Sequence, residues 1–319
     1  MPKLILIAVA LFGIGIFFFL QKNNPSQTPS PLNTNDQQNE PTGTKKEELW
    51  SETGVVITGN YADADVVDLG DGKFRMYYSA EPGTKDFQGQ VYSAVSSDGI
   101  KWTQEDGTRI TQATFPSVIK LPDGSFRMYF QDNRIIKSAK STDGLSWEKE
   151  EGIRIDTSNT AGLTLTGVLA PTVIKIGNEY VMVYAGAINQ PYEKEKVPNK
   201  EIHPLFWATS KDGLTFENKG IAQDSRNEVF KGWMDGPELI AWDNNTTKLY
   251  FWGYFGVYES TFENGAFSDP KFVFYGPNFD EKMLFPSSPP GDPTLVKIGN
   301  TWNMYYGYFQ KGIYRATLK

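Results

Sequence analysis

The chain repeats itself, and the repeat restricts what it can fold into. From Trp50 onward a short first strand returns at regular spacing. It runs Asp65-Val66-Val67-Asp68-Leu69, then Pro116-Ser117-Val118-Ile119-Lys120, then Pro171-Thr172-Val173-Ile174-Lys175, then Pro237-Glu238-Leu239-Ile240, and finally Pro293-Thr294-Leu295-Val296-Lys297. Turn residues follow most copies, at Asp71-Gly72, Asp123-Gly124, Gly177-Asn178 and Gly299-Asn300. Gly and Asn accept the positive φ that tight hairpins require. A second strand comes next each time, as in Phe74-Arg75-Met76-Tyr77-Tyr78, Phe126-Arg127-Met128-Tyr129-Phe130 and Trp302-Asn303-Met304-Tyr305-Tyr306. A third strand leads into Ser-x-Asp-Gly, at Ser96-Ser97-Asp98-Gly99, Ser141-Thr142-Asp143-Gly144 and Ser210-Lys211-Asp212-Gly213. Trp102, Trp147 or Phe216 then opens a fourth strand.

Each copy is therefore a four-stranded meander of roughly 50–60 residues, the size of a propeller blade. Five copies predict an all-β fold, a five-bladed β-propeller over residues 48–319. The fifth copy stops after its third strand, Ile313-Tyr314-Arg315-Ala316-Thr317. The missing strand stands at the front, because Leu49-Trp50 through Ile57 matches Lys101-Trp102 through Ile110. Chain start and chain end are expected to share the last blade, which removes two open sheet edges.

Two segments precede the repeat. Leu4 to Leu20 is almost purely apolar, with Lys3 before it and Gln21 and Lys22 after. That length suits a single membrane-spanning helix, which needs about 17–25 residues. Phe17, Phe18, Phe19 and Leu20 are unlike the small residues of a cleavage site. Residues 1–21 thus read as an uncleaved signal anchor, N-terminus inside, with the remainder outside the membrane. Residues 22–47 are rich in Asn, Gln, Pro, Thr and Ser and read as a flexible polar linker.

Composition closes several routes. The chain has no Cys, so thiol catalysis and disulfides are excluded. His203 is the single histidine, which leaves little for a multi-His metal centre. A net charge of -7 argues against nucleic acid as a partner, since phosphate binding needs clustered Lys and Arg. No cofactor motif and no specific metal set stand out, and a monomer is expected.

The meander assigns two faces. The Ser-x-Asp-Gly turns lie on one, where Asp caps the turn and Trp packs between sheets. The lead-ins to the first strands lie on the other, together with long insertions from Ile188 to Pro204, Gln223 to Trp233 and Pro277 to Pro290. The first of these carries Tyr192, Glu193, Glu195 and His203. Long loops gathered on one end commonly build a binding site. The residue that leads into each first strand should point to the central axis. In blade order it is Asp63, Phe115, Ala170, Gly236 and Asp292, with Asp235 and Glu238 on either side of Gly236-Pro237.

These residues resemble the five-bladed furanosidase-type glycoside hydrolases of families 43, 32, 68, 117 and 130, across residues 48–319. The resemblance implies action on glycans by two-carboxylate chemistry. In family 43 an Asp leads into the first blade, an Asp into the third, and a Glu precedes Gly-Pro or Ala-Pro at the fourth. Asp63 matches the first and would be the base that activates water. Asp235, in Trp233-Met234-Asp235-Gly236-Pro237, matches the last, one methylene shorter, and would be the acid, with Glu238 as substitute. Ala170 stands where the second Asp belongs. Asp292 would support the pair, and Trp233, Phe115, Tyr192 and His203 would contact the sugar. The loss at Ala170 equally suits a non-catalytic carbohydrate-binding or adhesion propeller on the cell surface. The Ser-x-Asp-Gly-x-x-Trp turns also look like sialidase Asp-boxes, which makes a sialidase-like hydrolase a third expectation. Arg75 and Arg127 lie inside equivalent strands and read as scaffold rather than as carboxylate-binding arginines.

Overall fold

The computed structural model describes residues 46–158, 162–189, 201–243, 245–276, 279–280, 285–286, 290–308 and 311–319. The proposed anchor, nearly all of the linker, and Tyr192, Glu193 and Glu195 lie outside the described residues. Within them the chain is all β, with five antiparallel sheets that follow one another around an axis. Blade I comprises Tyr61–Gly70, Lys73–Ala80 and Gln90–Ser96, edged by Thr103–Gln104 and Ile110–Thr111. Blade II comprises Thr114–Lys120, Phe126–Asp132, Ile135–Ser141 and Glu148–Lys149. Blade III comprises Gly167–Ile176, Glu179–Ala187, Leu205–Ser210 and Glu217–Gln223. Blade IV comprises Met234–Ala241, Thr247–Gly253 and Gly256–Glu263, edged by Ala266–Phe267 and Lys271–Phe274. Blade V comprises Gly291–Ile298, Thr301–Tyr308 and Gly312–Leu318, and its outer strand is Trp50–Thr58.

That last pairing closes the ring as the repeat predicts. Trp50 lies opposite Leu318 and Thr58 opposite Gly312, in antiparallel register. The Leu49 amide donates to the Val273 carbonyl, and the Lys319 amide to the Leu49 carbonyl. Both chain ends are thereby tied down.

Neighbouring blades are joined by one device used repeatedly. A tyrosine on the second strand meets, edge to face, the aromatic that opens the next blade's fourth strand. The pairs are Tyr77–Trp147, Tyr129–Phe216, Tyr250–Trp50 and Tyr305–Trp102, with ring centroids 5.7, 5.8, 6.0 and 5.5 Å apart. Three of these hydroxyls also donate to the Gly carbonyl of the neighbouring Ser-x-Asp-Gly turn: Tyr77 to Gly144, Tyr129 to Gly213 and Tyr305 to Gly99. A Cβ on any of those glycines would lie 2.7 Å from the tyrosine oxygen, so the turn can carry no side chain there. The turn's Asp caps backbone amides: Asp143 Oδ1 accepts from Leu145 and Ser146 at 2.7 and 2.8 Å. Arg75 is held by Glu105 and the Asp143 carbonyl, and Arg127 by Glu150 and the Asp212 carbonyl. These turns and arginines are joints between blades, which leaves nothing in their geometry that favours a sialidase.

A second ring of contacts lies on the axis. Each first strand carries a bulge just after its lead-in residue, between Ala62 and Asp65, Thr114 and Ser117, Leu169 and Thr172, Asp235 and Glu238, and Gly291 and Thr294. The second bulged residue is proline in four blades, and proline has no amide to lose from the ladder. The residue after it is polar throughout: Asp65, Ser117, Thr172, Glu238 and Thr294. Four of these accept the amide of the next blade. Val118 donates to Asp65 Oδ2 at 2.9 Å, Val173 to Ser117 Oγ at 3.0 Å and Leu239 to Thr172 Oγ1 at 3.0 Å. Leu295 donates to Glu238. The carboxyl of Glu238 also accepts the hydroxyls of Thr172 and Thr294, at 3.1 and 3.0 Å.

Two predictions follow from these rings. Removing residues 48–58 should lower the melting temperature sharply, and Trp50→Ala alone, which empties a site with no exposed surface, should cost about 3–5 kcal/mol in urea denaturation. A melt unchanged by the deletion would refute closure by the N-terminal strand. The axial acids set a pH dependence. Burial raises Asp65 to about 7, and burial with the neighbouring Asp65 charge raises Glu238 well above the ordinary value. Between about pH 4 and 7 the folded protein then holds protons that the unfolded chain has released, so stability falls as pH rises. Asp98, Asp143 and Asp212, lowered by backbone amides, act oppositely and lose their contribution as pH falls below about 4. Thermal melts should therefore peak at about pH 4, and Glu238→Gln should raise the melting temperature at pH 8 and flatten the decline. A Glu238→Gln protein that melts lower at pH 8 would show that Glu238 stabilises as a charge.

Candidate active site

The five lead-in residues share one unusual backbone conformation. Asp63, Phe115, Ala170, Gly236 and Asp292 have φ of 53, 51, 45, 51 and 50°. Four of them carry side chains in this left-handed region, which costs on the order of 1 kcal/mol each. Such strain at equivalent positions has a common geometric cause, the bulge that turns the residue out of the ladder and toward the axis. Gly236 is glycine for a local reason, since a Cβ there would stand 2.2 Å from Asp292 Oδ1.

Together the five positions line a depression of about 290 Å³ at the axial mouth, with Pro116, Pro171, Pro237 and Pro293 between them and Glu238 and Ser117 beneath. Its walls are unequal. Blades II and III contribute Phe115 and Ala170, which are apolar. Blades V and I contribute Asp292 and Asp63, with Asp235 of blade IV next to the lining Gly236.

Asp63 is buried and Asp292 half-buried, and the two are hydrogen-bonded to each other. Two carboxyls in such contact cannot both ionise, so one holds a proton. The surroundings decide which. Burial raises Asp63 to about 7, with the Glu81 charge adding to it, while Ser79, Asp292 and the Phe115 amide donate to it and limit the rise. Asp292 is raised well above the ordinary range by burial and then by the charges of Asp63 and Asp235. Trp252 Nε1 donates to Asp292 Oδ1 at 3.0 Å. Asp292 is accordingly the member that keeps the proton, and Asp63 the one that titrates near neutrality.

Asp235 occupies the rim beside them. Its Oδ1 accepts the Gly236 amide at 2.9 Å, and its Oδ2 lies 3.4 Å from His203 Nδ1. His203 is 5% exposed, which excludes the surface role that its loop position left open. Its ring stacks on Trp233 with centroids 4.4 Å apart and planes 28° from parallel. Trp233 is itself buried and also neighbours Trp252, 5.6 Å away. One indole face is therefore covered by His203, so Trp233 supports the histidine where an open sugar platform was expected. Phe115 is the half-buried aromatic that does reach the depression. Glu238 lines the floor, but both its oxygens are engaged in the axial ring, which leaves it a structural rather than a spare acid.

Sequence reasoning missed two contributors. Trp252 lies inside a second strand among other aromatics, with nothing local to mark its N–H. Asp65 had a signal, since a polar residue recurs at its position in every copy.

No protein-family model matches the chain, and no curated protein matches it. Solved structures do. A β-1,2-mannobiose phosphorylase from Listeria innocua is 11% identical, with a TM-score of 0.58 over 86% of this chain and 91% of that one. A glycosyl hydrolase from Bacteroides ovatus is 14% identical, with a TM-score of 0.58 over 81% and 84%. A structure from the family of mannoside phosphorylases that includes hydrolases of β-1,2-mannosidic linkages in Candida mannan is 15% identical, with a TM-score of 0.60 over 81% and 84%. At this identity the likeness establishes the fold that the repeat implied: a five-bladed propeller shared with glycoside hydrolases and phosphorylases.

Proposed function

We propose that the protein is a glycan-acting hydrolase whose reaction takes place in the axial depression. The observation that carries this reading is the contact of Asp63 with Asp292 in the lining of one cavity, with Asp235 of a third blade beside the lining Gly236 and near enough for its charge to act on Asp292. Hydrolysis of a glycosidic bond needs one carboxyl protonated and one ionised at the same pH. Asp63, raised to about 7, suits a base that takes a proton from water. As the bond from the anomeric carbon to the leaving oxygen breaks, that oxygen takes a proton from the acid, and water supplies the new hydroxyl. The apolar wall of Phe115 and Ala170 suits the C–H face of a sugar, and the acidic wall suits its hydroxyls.

Among the described residues, those that line the cavity include no Arg or Lys. A phosphorylase must hold inorganic phosphate beside the anomeric carbon, and an acidic cavity without a cation disfavours that anion. Hydrolysis is therefore favoured over phosphorolysis. Ala170 supports a second reading, a carbohydrate-binding propeller that does not turn substrate over. In either case the apolar run Leu4 to Leu20 supports a location outside the membrane, with the linker as stalk.

The test is product release from aryl glycosides and oligosaccharides of arabinose, xylose, fructose, mannose, galactose and sialic acid. The full-length chain should turn over at least one of them, and Asp63→Asn should lose on the order of 100-fold or more in kcat. Binding seen by calorimetry without turnover would favour the binding module. Neither binding nor turnover from folded protein would overturn both readings.

A further inference from the structure

A chain of charges runs from blade II to the rim of the depression. Arg134 Nη2 lies 2.8 Å from Glu201 Oε1, and the Thr166 hydroxyl donates to the same oxygen at 2.8 Å. Arg134 Nε donates to the Thr166 carbonyl at 2.9 Å. Gly167 leaves room for this guanidinium, since a Cβ there would be 2.3 Å from Arg134 Nε. Glu201 Oε2 in turn faces His203 Nε2 at 3.9 Å, and His203 Nδ1 faces Asp235 Oδ2 at 3.4 Å. The imidazole plane is fixed by Trp233 and its backbone by the His203 amide, which donates to the Gly232 carbonyl at 2.7 Å.

Each ring nitrogen of His203 thus faces a carboxylate, and neither has an aligned hydrogen bond elsewhere. A neutral imidazole has one acceptor nitrogen, which would point a lone pair at a carboxylate inside a buried site. The doubly protonated ring has donors on both sides and removes the conflict. We propose that His203 is a positioning residue, held as an imidazolium between Glu201 and Asp235, which orients the Asp235 carboxyl at the rim of the cavity.

Burial opposes the charge on His203, but the hydrogen bonds and charges of Asp235 and Glu201 outweigh it and raise its pKa. Glu201 is lowered to about 2, first by His203 and then, against partial burial, by Thr166 and Arg134. Among the described residues, the titratable groups that face the imidazole are these two carboxylates, with Arg134 behind one and Asp292 behind the other. The consequence for chemistry rests on the glycan-acting role proposed above. An Asp235 paired with the imidazolium has no proton to give a leaving group, and its charge raises Asp292. The acid is then Asp292, which requires the bound sugar to part it from Asp63, since acid and base flank the bond about 6.5–9.5 Å apart in inversion; Asp235 stabilises positive charge that develops at the anomeric centre.

His203 is the single histidine, so histidine-selective isotope labelling of the full-length chain in mild detergent, with a purification tag free of histidine, gives one imidazole signal. Its NMR titration should show a midpoint above the ordinary 6.5. Asp235→Asn and Glu201→Gln should each lower that midpoint, with melting followed to show that both variants fold. A midpoint at or below 6.5 in the native chain, or one that Asp235→Asn leaves unmoved, overturns the proposal whatever the enzyme activity. A raised, Asp235-dependent midpoint in a protein that hydrolyses nothing would sustain the imidazolium and reject the hydrolase. The acid assignment has its own readout in 2,4-dinitrophenyl glycosides of the six sugars, whose leaving group needs no proton. Asp292→Asn should keep that activity and lose oligosaccharide cleavage, whereas Asp235→Asn should lose both. The reverse pattern would make Asp235 the acid.

Discussion

The structure depends on a bulge. At five places the backbone turns into the left-handed region, lifts a residue out of the β ladder, and aims it at the axis. The displacement does two things at once. It presents Asp63, Phe115, Ala170, Gly236 and Asp292 at the mouth of the ring. It also places Asp65, Ser117, Thr172, Glu238 and Thr294 one layer deeper, where four of them accept an amide from the next blade. Without the bulge, neither the cavity wall nor the axial contacts between blades would exist. The strain of four non-glycine residues at positive φ is sustained by packing on all sides, as strained residues at functional sites require.

The two layers differ in what burial does to their acids. Glu238 accepts from three donors and is anchored, so its proton balance affects stability. Asp63 and Asp292 satisfy each other above it. That difference separates structural from chemical carboxyls better than position along the chain does. Glu238 and Asp235 flank the same Gly-Pro and look interchangeable in sequence. In space, one is locked in the ring and the other faces His203.

The repeat made the architecture legible. A strand pattern that recurs with its turn and its Trp fixes blade number, strand order and the closing role of Trp50–Thr58, because each is a property of periodicity. The lead-in positions were legible for the same reason. What periodicity does not encode is which neighbour a side chain meets across a blade boundary. The contact of Asp63 with Asp292 joins the second blade-forming strand of the chain to one of its last. The stacking of His203 on Trp233 joins an insertion of blade III to a lead-in of blade IV. Trp252 carries no mark of its role, since aromatics fill every second strand and only this indole reaches a carboxyl on the axis.

The same geometry explains how a carboxylate can be absent at Ala170 without emptying the site of charge. The acidic residues occupy blades IV, V and I, which are adjacent around the ring, and the apolar ones occupy II and III. Ala170 belongs to the apolar arc. Its amide donates to Gln131 Oε1 at 3.3 Å, so the backbone there is satisfied with no acid needed. An Asp in that place would add a fifth carboxyl to Asp63, Asp292, Glu238 and Asp235, and would raise the pKa values of its neighbours further. In the next blade Asp235 brings a carboxyl to the rim, with its Oδ2 3.4 Å from the Nδ1 of the buried His203. A cavity with one greasy wall and one acidic wall matches a pyranose or furanose ring, which has an apolar face and a hydroxylated edge. The asymmetry of the ring, more than any single residue, is what supports the proposed action on glycans.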